Sequence, residues 1–181
     1  MQGIDIIWGD LLRLRADCIC VSAGPDFLHE KGMSRAVYNK IGKQAWAGLE
    51  DLKASVGPGD VIVTPPFGFN ANCLFHVIGP MWDGDGGHAE NVLYASAALC
   101  FKLARERECH TMLMPLLSAG EKGFPHNVAW RTILRALLDF FEKEPEYDLE
   151  VTFVTRHPGI RRIGERELEQ LTGFKFRGIK S

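Results

Sequence analysis

The chain has 181 residues, 46% hydrophobic and 24% charged, a balance that suits one globular domain with a substantial core. A formal net charge of −2 argues against a nucleic-acid or membrane module held by bulk charge, while leaving room for a local basic patch. No apolar run has the length of a membrane span, and the N-terminus lacks a signal-peptide pattern, so the expectation is an intracellular protein, cytoplasmic or nuclear.

Apolar runs and helical patterns alternate from end to end. Strands are predicted at Ile4–Trp8 and Cys18–Val21, short runs rich in β-branched and other apolar residues. A helix follows over Ser34–Ile41, with Ser34 as its cap and Ala36, Val37 and Ile41 on one face. Gly42 interrupts it before a second helical segment that runs through Ala54. Strands at Asp60–Thr64 and Leu74–Ile78 precede Pro80–Gly87, whose Asp83-Gly84-Asp85-Gly86-Gly87 run reads as a flexible connection. It resembles the start of a calcium loop, but the later acidic ligands are missing.

His88–Arg107 aligns Val92, Ser96, Leu99, Cys100 and Leu103 at helical spacing. A strand at Thr111–Leu116 then leads through Ser118–Phe124 to a helix over Pro125–Lys143, with proline in its first turn and Trp130, Ile133, Leu134, Leu137, Phe140 and Phe141 on one face. A strand at Leu149–Thr155 and a charged surface helix at Gly159–Leu171 close the pattern. Strands interleaved with helices imply an α/β fold with a mixed, mainly parallel sheet covered on both faces. Ligand loops should gather at the C-terminal ends of its strands.

Five cysteines, Cys18, Cys20, Cys73, Cys100 and Cys109, lie in apolar contexts without a Cys-x-x-Cys pair, which reads as buried free thiols. The six histidines lack metal-ligand spacing, and no metal or cofactor is expected. His76 sits inside a strand pattern and reads as a core histidine. His29 with Glu30 reads as solvated loop, an acid–base pair being the alternative. Arg156-His157 and Arg161-Arg162 read as a solvated helix start, with phosphate or nucleic acid as the alternative ligand.

The segment Ser118-Ala119-Gly120-Glu121-Lys122-Gly123-Phe124-Pro125 carries the most information. A small, glycine-bearing loop between a buried strand and a helix is where α/β proteins place anions, because free backbone N–H groups and the helix dipole point at it. It lines up with Gly9-Asp10-Leu11-Leu12, Val21-Ser22-Ala23-Gly24-Pro25, Gly32-Met33-Ser34-Arg35-Ala36-Val37 and Phe75-His76-Val77-Ile78-Gly79-Pro80.

In that order the segments resemble the macro domain, a family of ADP-ribose-binding modules, from Ile4 to about Ile163. The resemblance implies a single three-layer α/β/α sandwich over residues 1–181. It also implies ADP-ribose or an ADP-ribosylated protein as partner, and a monomer. Asp10, with Leu11 beside it, matches the position that accepts from the adenine amine; capping of local N–H groups is the alternative for a turn aspartate. Ser118, Ala119, Gly120, Glu121, Lys122 and Gly123 match the loop around the diphosphate, and Gly32 and Met33 match the facing loop. Ser22, Ala23 and Gly24 match the distal-ribose segment. Arg156 matches a position that stacks a planar side chain on adenine, with a solvated arginine as the alternative.

The chain departs from the family pattern at three places. The usual Val-Asn-Ala-Ala-Asn reads Val21-Ser22-Ala23-Gly24-Pro25, and Pro25 has neither a polar side chain nor an N–H; Asp26, shifted by one residue, is the candidate to fill the gap. A triple glycine is reduced to Glu30-Lys31-Gly32, and Lys122 stands where an aromatic residue is usual. The reading is an ADP-ribose-binding module with little or no catalysis. The alternatives are a mono-ADP-ribosyl hydrolase, or a divergent macro domain that has lost ADP-ribose and makes protein or nucleic-acid contacts.

Overall fold

The computed structural model describes residues 2–84 and 87–174. Asp85 and Gly86 of the connection expected to be flexible, and residues 1 and 175–181 of the expected domain, lie outside the described residues. Six strands form one sheet: β1 (Gly3–Trp8), β2 (Cys18–Ala23), β3 (Val61–Thr64), β4 (Cys73–Ile78), β5 (Thr111–Met114) and β6 (Glu150–Thr155). Their order is β1-β6-β5-β2-β4-β3, parallel throughout except for the antiparallel β3–β4 edge.

Side chains alternate across the sheet and so build two cores. Cys18 and Cys20, Phe75 and Val77, Met112 and Met114, and Val151 and Phe153 face one side, against α3 (Gly87–Glu106), α4 (His126–Lys143) and α5 (Pro158–Thr172). Ile19 and Val21, Leu74 and Ile78, Leu113 and Val154 face the other, against α1 (Gly32–Ile41) and α2 (Lys43–Glu50). The α/β/α sandwich follows from this two-sided apolar content. The five cysteines are free thiols, all but Cys73 fully buried.

Element boundaries differ from the sequence expectation where backbone chemistry decides. β5 stops at Met114, two residues short, because Pro115 has no N–H for the ladder. Pro125 is the N-cap of α4 with ψ 133°, outside the first turn. α1 starts at Gly32, so Ser34 lies inside the helix and the N-cap is Lys31, without a side-chain cap. α2 ends at Glu50 and gives way to turns, so the helix does not reach Ala54. Gly42 separates the two helices with φ 87°, a conformation that glycine alone adopts without strain.

The charged helix α5 is not merely a surface element. Trp130 of α4 is fully buried, its Nε1 donates to the Ile160 carbonyl at 3.0 Å, and Arg131 pairs with Glu167 at 2.9 Å. Gly164 lies flat on the Trp130 ring, where an added Cβ would stand 2.6 Å from Cε2. Gly164→Ala should therefore cost about 1–3 kcal/mol of stability through overpacking. Gly48→Ala in α2, which meets open space, should add up to about 1 kcal/mol through helix propensity. Urea unfolding of the two variants checks this, and equal midpoints would contradict the packing described.

Candidate functional site

The C-terminal ends of β1, β2, β5 and β6 open into a groove of about 1620 Å³. This exceeds the ~300–1,000 Å³ of a usual small-ligand pocket and suits an extended ligand. Asp10, Leu11 and Arg156 line one end. Gly32 and Met33 line one bank, and Ser118, Ala119, Gly120, Glu121 and Lys122 the other. Ser22, Ala23 and Gly24 complete the floor at the end of β2. Gly123 alone of the expected site residues does not line the groove. It turns the chain with φ 79°, its N–H donates to the Gly120 carbonyl, and its Cβ position faces Trp82.

The loop 118–123 owes its shape to an unusual backbone. Ser118 has φ 60° though it carries a side chain, and its Oγ packs against Gly79 where a Cβ would otherwise stand. Gly79 is thus required by its neighbour. The Phe124 N–H closes the loop on the Ser118 carbonyl at 3.1 Å. The N–H groups of Ala119, Gly120 and Glu121 make no hydrogen bond among the described residues. Opposite them, the first turn of α1 presents its own unpaired N–H groups without a side-chain cap. Both banks therefore offer backbone donors, the arrangement that favours an anion.

Asp10 combines a capping role with an ion pair. Its Oδ1 accepts from the Leu12 N–H at 3.1 Å, capping the 3₁₀ turn Leu11–Arg13, and from Arg156 Nη2 at 2.8 Å. The Arg156 guanidinium holds the Asp10 carboxyl below the usual range. Arg13 Nε approaches the other oxygen, Oδ2, at 3.5 Å. Of about four acceptor sites on a carboxylate, these three partners leave room for one further donor. The Trp8 indole donates to the Arg156 carbonyl at 3.1 Å and steadies the start of the β6–α5 connection. Nothing in the sequence singled out Trp8, since a terminal strand aromatic reads as core; it is 64% exposed.

Two side chains define the distal end. Asp26, rather than Pro25, lines the groove, and its Oδ1 stands 3.0 Å from where a Cβ of Gly24 would be. Lys122 turns inward, and its Nζ donates to the Ala23 carbonyl at 2.6 Å. His29 and Glu30 do not line the groove. His29 stacks on Tyr38 with centroids 3.9 Å apart, meets the edge of Trp46 and places Nδ1 3.9 Å from Glu50 Oε1, so it packs against α1 and α2 and its carboxylate neighbour is Glu50 rather than Glu30. His76 is a core histidine, paired with Thr64 Oγ1 at 2.9 Å, and burial pushes it down to about 4. The groove also runs along α5 past Arg162 and Arg166, a wall that sequence spacing did not bring to the site.

Burial pushes the Lys122 ammonium down to about 8, and the Asp26 carboxylate offsets this only in part. An ordinary lysine keeps its proton to 10.5, so between pH 8 and 10.5 the unfolded chain binds more protons than the folded one. Stability must then rise with pH across that window, the strained charge being present below it and gone above it. Urea unfolding should show the wild type gaining on Lys122→Met from pH 8 to 10.5. Parallel pH profiles for the two proteins would contradict a desolvated lysine.

Comparison with known proteins agrees with this architecture. The macro domain family model matches residues 22–133. An O-acetyl-ADP-ribose deacetylase of Enterobacter cloacae is 27% identical over 170 residues, covering 92% of this chain and 94% of that protein. Among solved structures, the Oceanobacillus iheyensis macrodomain with ADP superposes with a TM-score of 0.85 at 20% identity, covering 93% of this chain and 90% of the other. The Trypanosoma brucei macrodomain in complex with ADP-ribose gives 0.77 at 20% identity, covering 91% and 68%. With the sheet order, the groove and the family match in agreement, the chain belongs to the macro domain family.

Proposed function

We propose that the groove binds ADP-ribose, free or carried on a modified protein, and that the chain acts chiefly as a reader of that modification. The observation that carries this is the pair of facing donor banks: the unpaired N–H groups of Ala119, Gly120 and Glu121 opposite the uncapped start of α1. A diphosphate between them would meet backbone donors from both sides. Asp10 would accept from the adenine amine with its remaining capacity, and Arg156 would lie beside the base. The distal ribose would reach Gly24, Asp26 and Lys122.

A second reading, hydrolysis of a bond at the distal ribose, draws support from the deacetylase relative and from Asp26. Asp26 places a carboxylate at the distal end, where it could orient a water for attack. The reader remains the better-supported reading, because Pro25 supplies no donor or acceptor there and Lys122 is already tied to a carbonyl.

Calorimetric titration with ADP-ribose is the direct test. Binding should be measurable, and Asp10→Ala should weaken it by about tenfold or more, equal to ~1.4 kcal/mol. No heat and no thermal shift at millimolar ligand would overturn the proposal. Unchanged binding in Asp10→Ala would reject the adenine placement. Incubation with an ADP-ribosylated protein and with O-acetyl-ADP-ribose, followed by chromatography of the products, separates the two readings. Product release above the uncatalysed rate, lost in Asp26→Asn, would favour the hydrolase.

A further inference from the structure

Lys31 and Glu121 face each other from opposite banks, with Nζ 3.9 Å from Oε1. The same Glu121 oxygen lies 3.2 Å from the position a Cβ of Gly32 would take. Glu121 therefore leans over the start of α1, the region where the unpaired N–H groups offer an anion site. The groove thus places its own carboxylate beside the donors that a diphosphate would use. Such a carboxylate repels a dianion.

The two lysines of the groove differ in freedom. Lys122 is half-buried and anchored to the Ala23 carbonyl at 2.6 Å. The Lys31 side chain is 76% exposed and pairs with Glu121. Of the two, Lys31 is the one able to change partners. An exposed pair of this kind is weak, so exchanging it for a doubly charged ligand is energetically accessible.

We propose that Lys31 and Glu121 form a clasp across the groove, and that an incoming diphosphate takes Lys31 from Glu121. Glu121 then sets the affinity for phosphate-bearing ligands by opposing them, and Lys31 becomes a ligand contact once released. This rests on the reading of the groove as an ADP-ribose site. It adds that the unliganded groove is closed electrostatically by its own residues.

The test is a double-mutant cycle titrated with ADP-ribose, with adenosine as the probe that lacks phosphate. Removing a like charge beside the phosphates should make Glu121→Gln bind ADP-ribose about tenfold more tightly. Adenosine affinity should not change. Lys31→Gln should weaken ADP-ribose binding, and the loss should be larger in the Glu121→Gln background. In the wild type that substitution removes the clasp along with the ligand contact, whereas in the variant it removes the contact alone. Thermal melts of all four proteins should coincide within a few degrees, since both side chains are exposed.

Unchanged or weaker ADP-ribose binding by Glu121→Gln would overturn the clasp and leave the ADP-ribose site standing. An equal loss from Lys31→Gln in both backgrounds would do the same. No binding of ADP-ribose by the wild type or by Glu121→Gln would sink the site and the clasp together.

Discussion

Ser118 holds a left-handed backbone because Gly79, on the connection after β4, leaves room for its side chain. That contact determines where the chain goes on leaving β5. It sends the loop 119–122 out beside the groove before the Phe124 N–H returns to the Ser118 carbonyl. A side chain at position 79 would displace the loop, and with it the unpaired N–H groups that face α1. The sheet supplies the rest of the frame, since four of its parallel strands end at the same edge. The functional face depends on one close approach between two strand-end loops.

Electrostatics gives the groove a divided character. Backbone donors on both banks favour an anion, yet Glu121 lies over one set of them and Asp26 stands at the distal end. Three of the positive side chains are engaged: Arg156 with Asp10, Lys31 with Glu121, and Lys122 with a carbonyl. The unliganded site is therefore largely satisfied by its own residues. A nucleotide diphosphate bound as proposed would have to displace these internal pairs, so its affinity would be a small difference that single charges around the rim can shift.

The sheet, its mixed character and the covering helices were legible because each strand is a short apolar run bounded by Gly, Pro or Asp. The alternation of Cys18, Ile19, Cys20 and Val21 between two cores is the physical content of that pattern. Boundaries were less legible where a single residue decides, as with Pro115 ending β5 and Lys31 rather than Ser34 opening α1. The groove loops could be named from sequence because glycine and small residues mark close approach. The destinations of long polar side chains could not be read. That Lys122 would reach Ala23 across 99 positions and that Glu121 would meet Lys31 both depend on tertiary placement. Local spacing carries no signal for such pairs. The charged residues of α5 read first as a solvated surface, with phosphate only as the alternative for Arg161-Arg162, because the position of the helix beside Asp10 is a product of the β1–β6 pairing.

In the proposed anion site the donors are the backbone amides of two facing loops. Titrating isotope-labelled protein with ADP-ribose while following backbone amide resonances tests it most directly. The amides of Gly32, Ala119, Gly120 and Leu12 should shift together and saturate at one ligand concentration, while those of the β3 edge, Val61–Thr64, stay in place. Shifts confined to other surfaces, with the Ala119 and Gly120 amides unmoved at saturation, would contradict the proposed site.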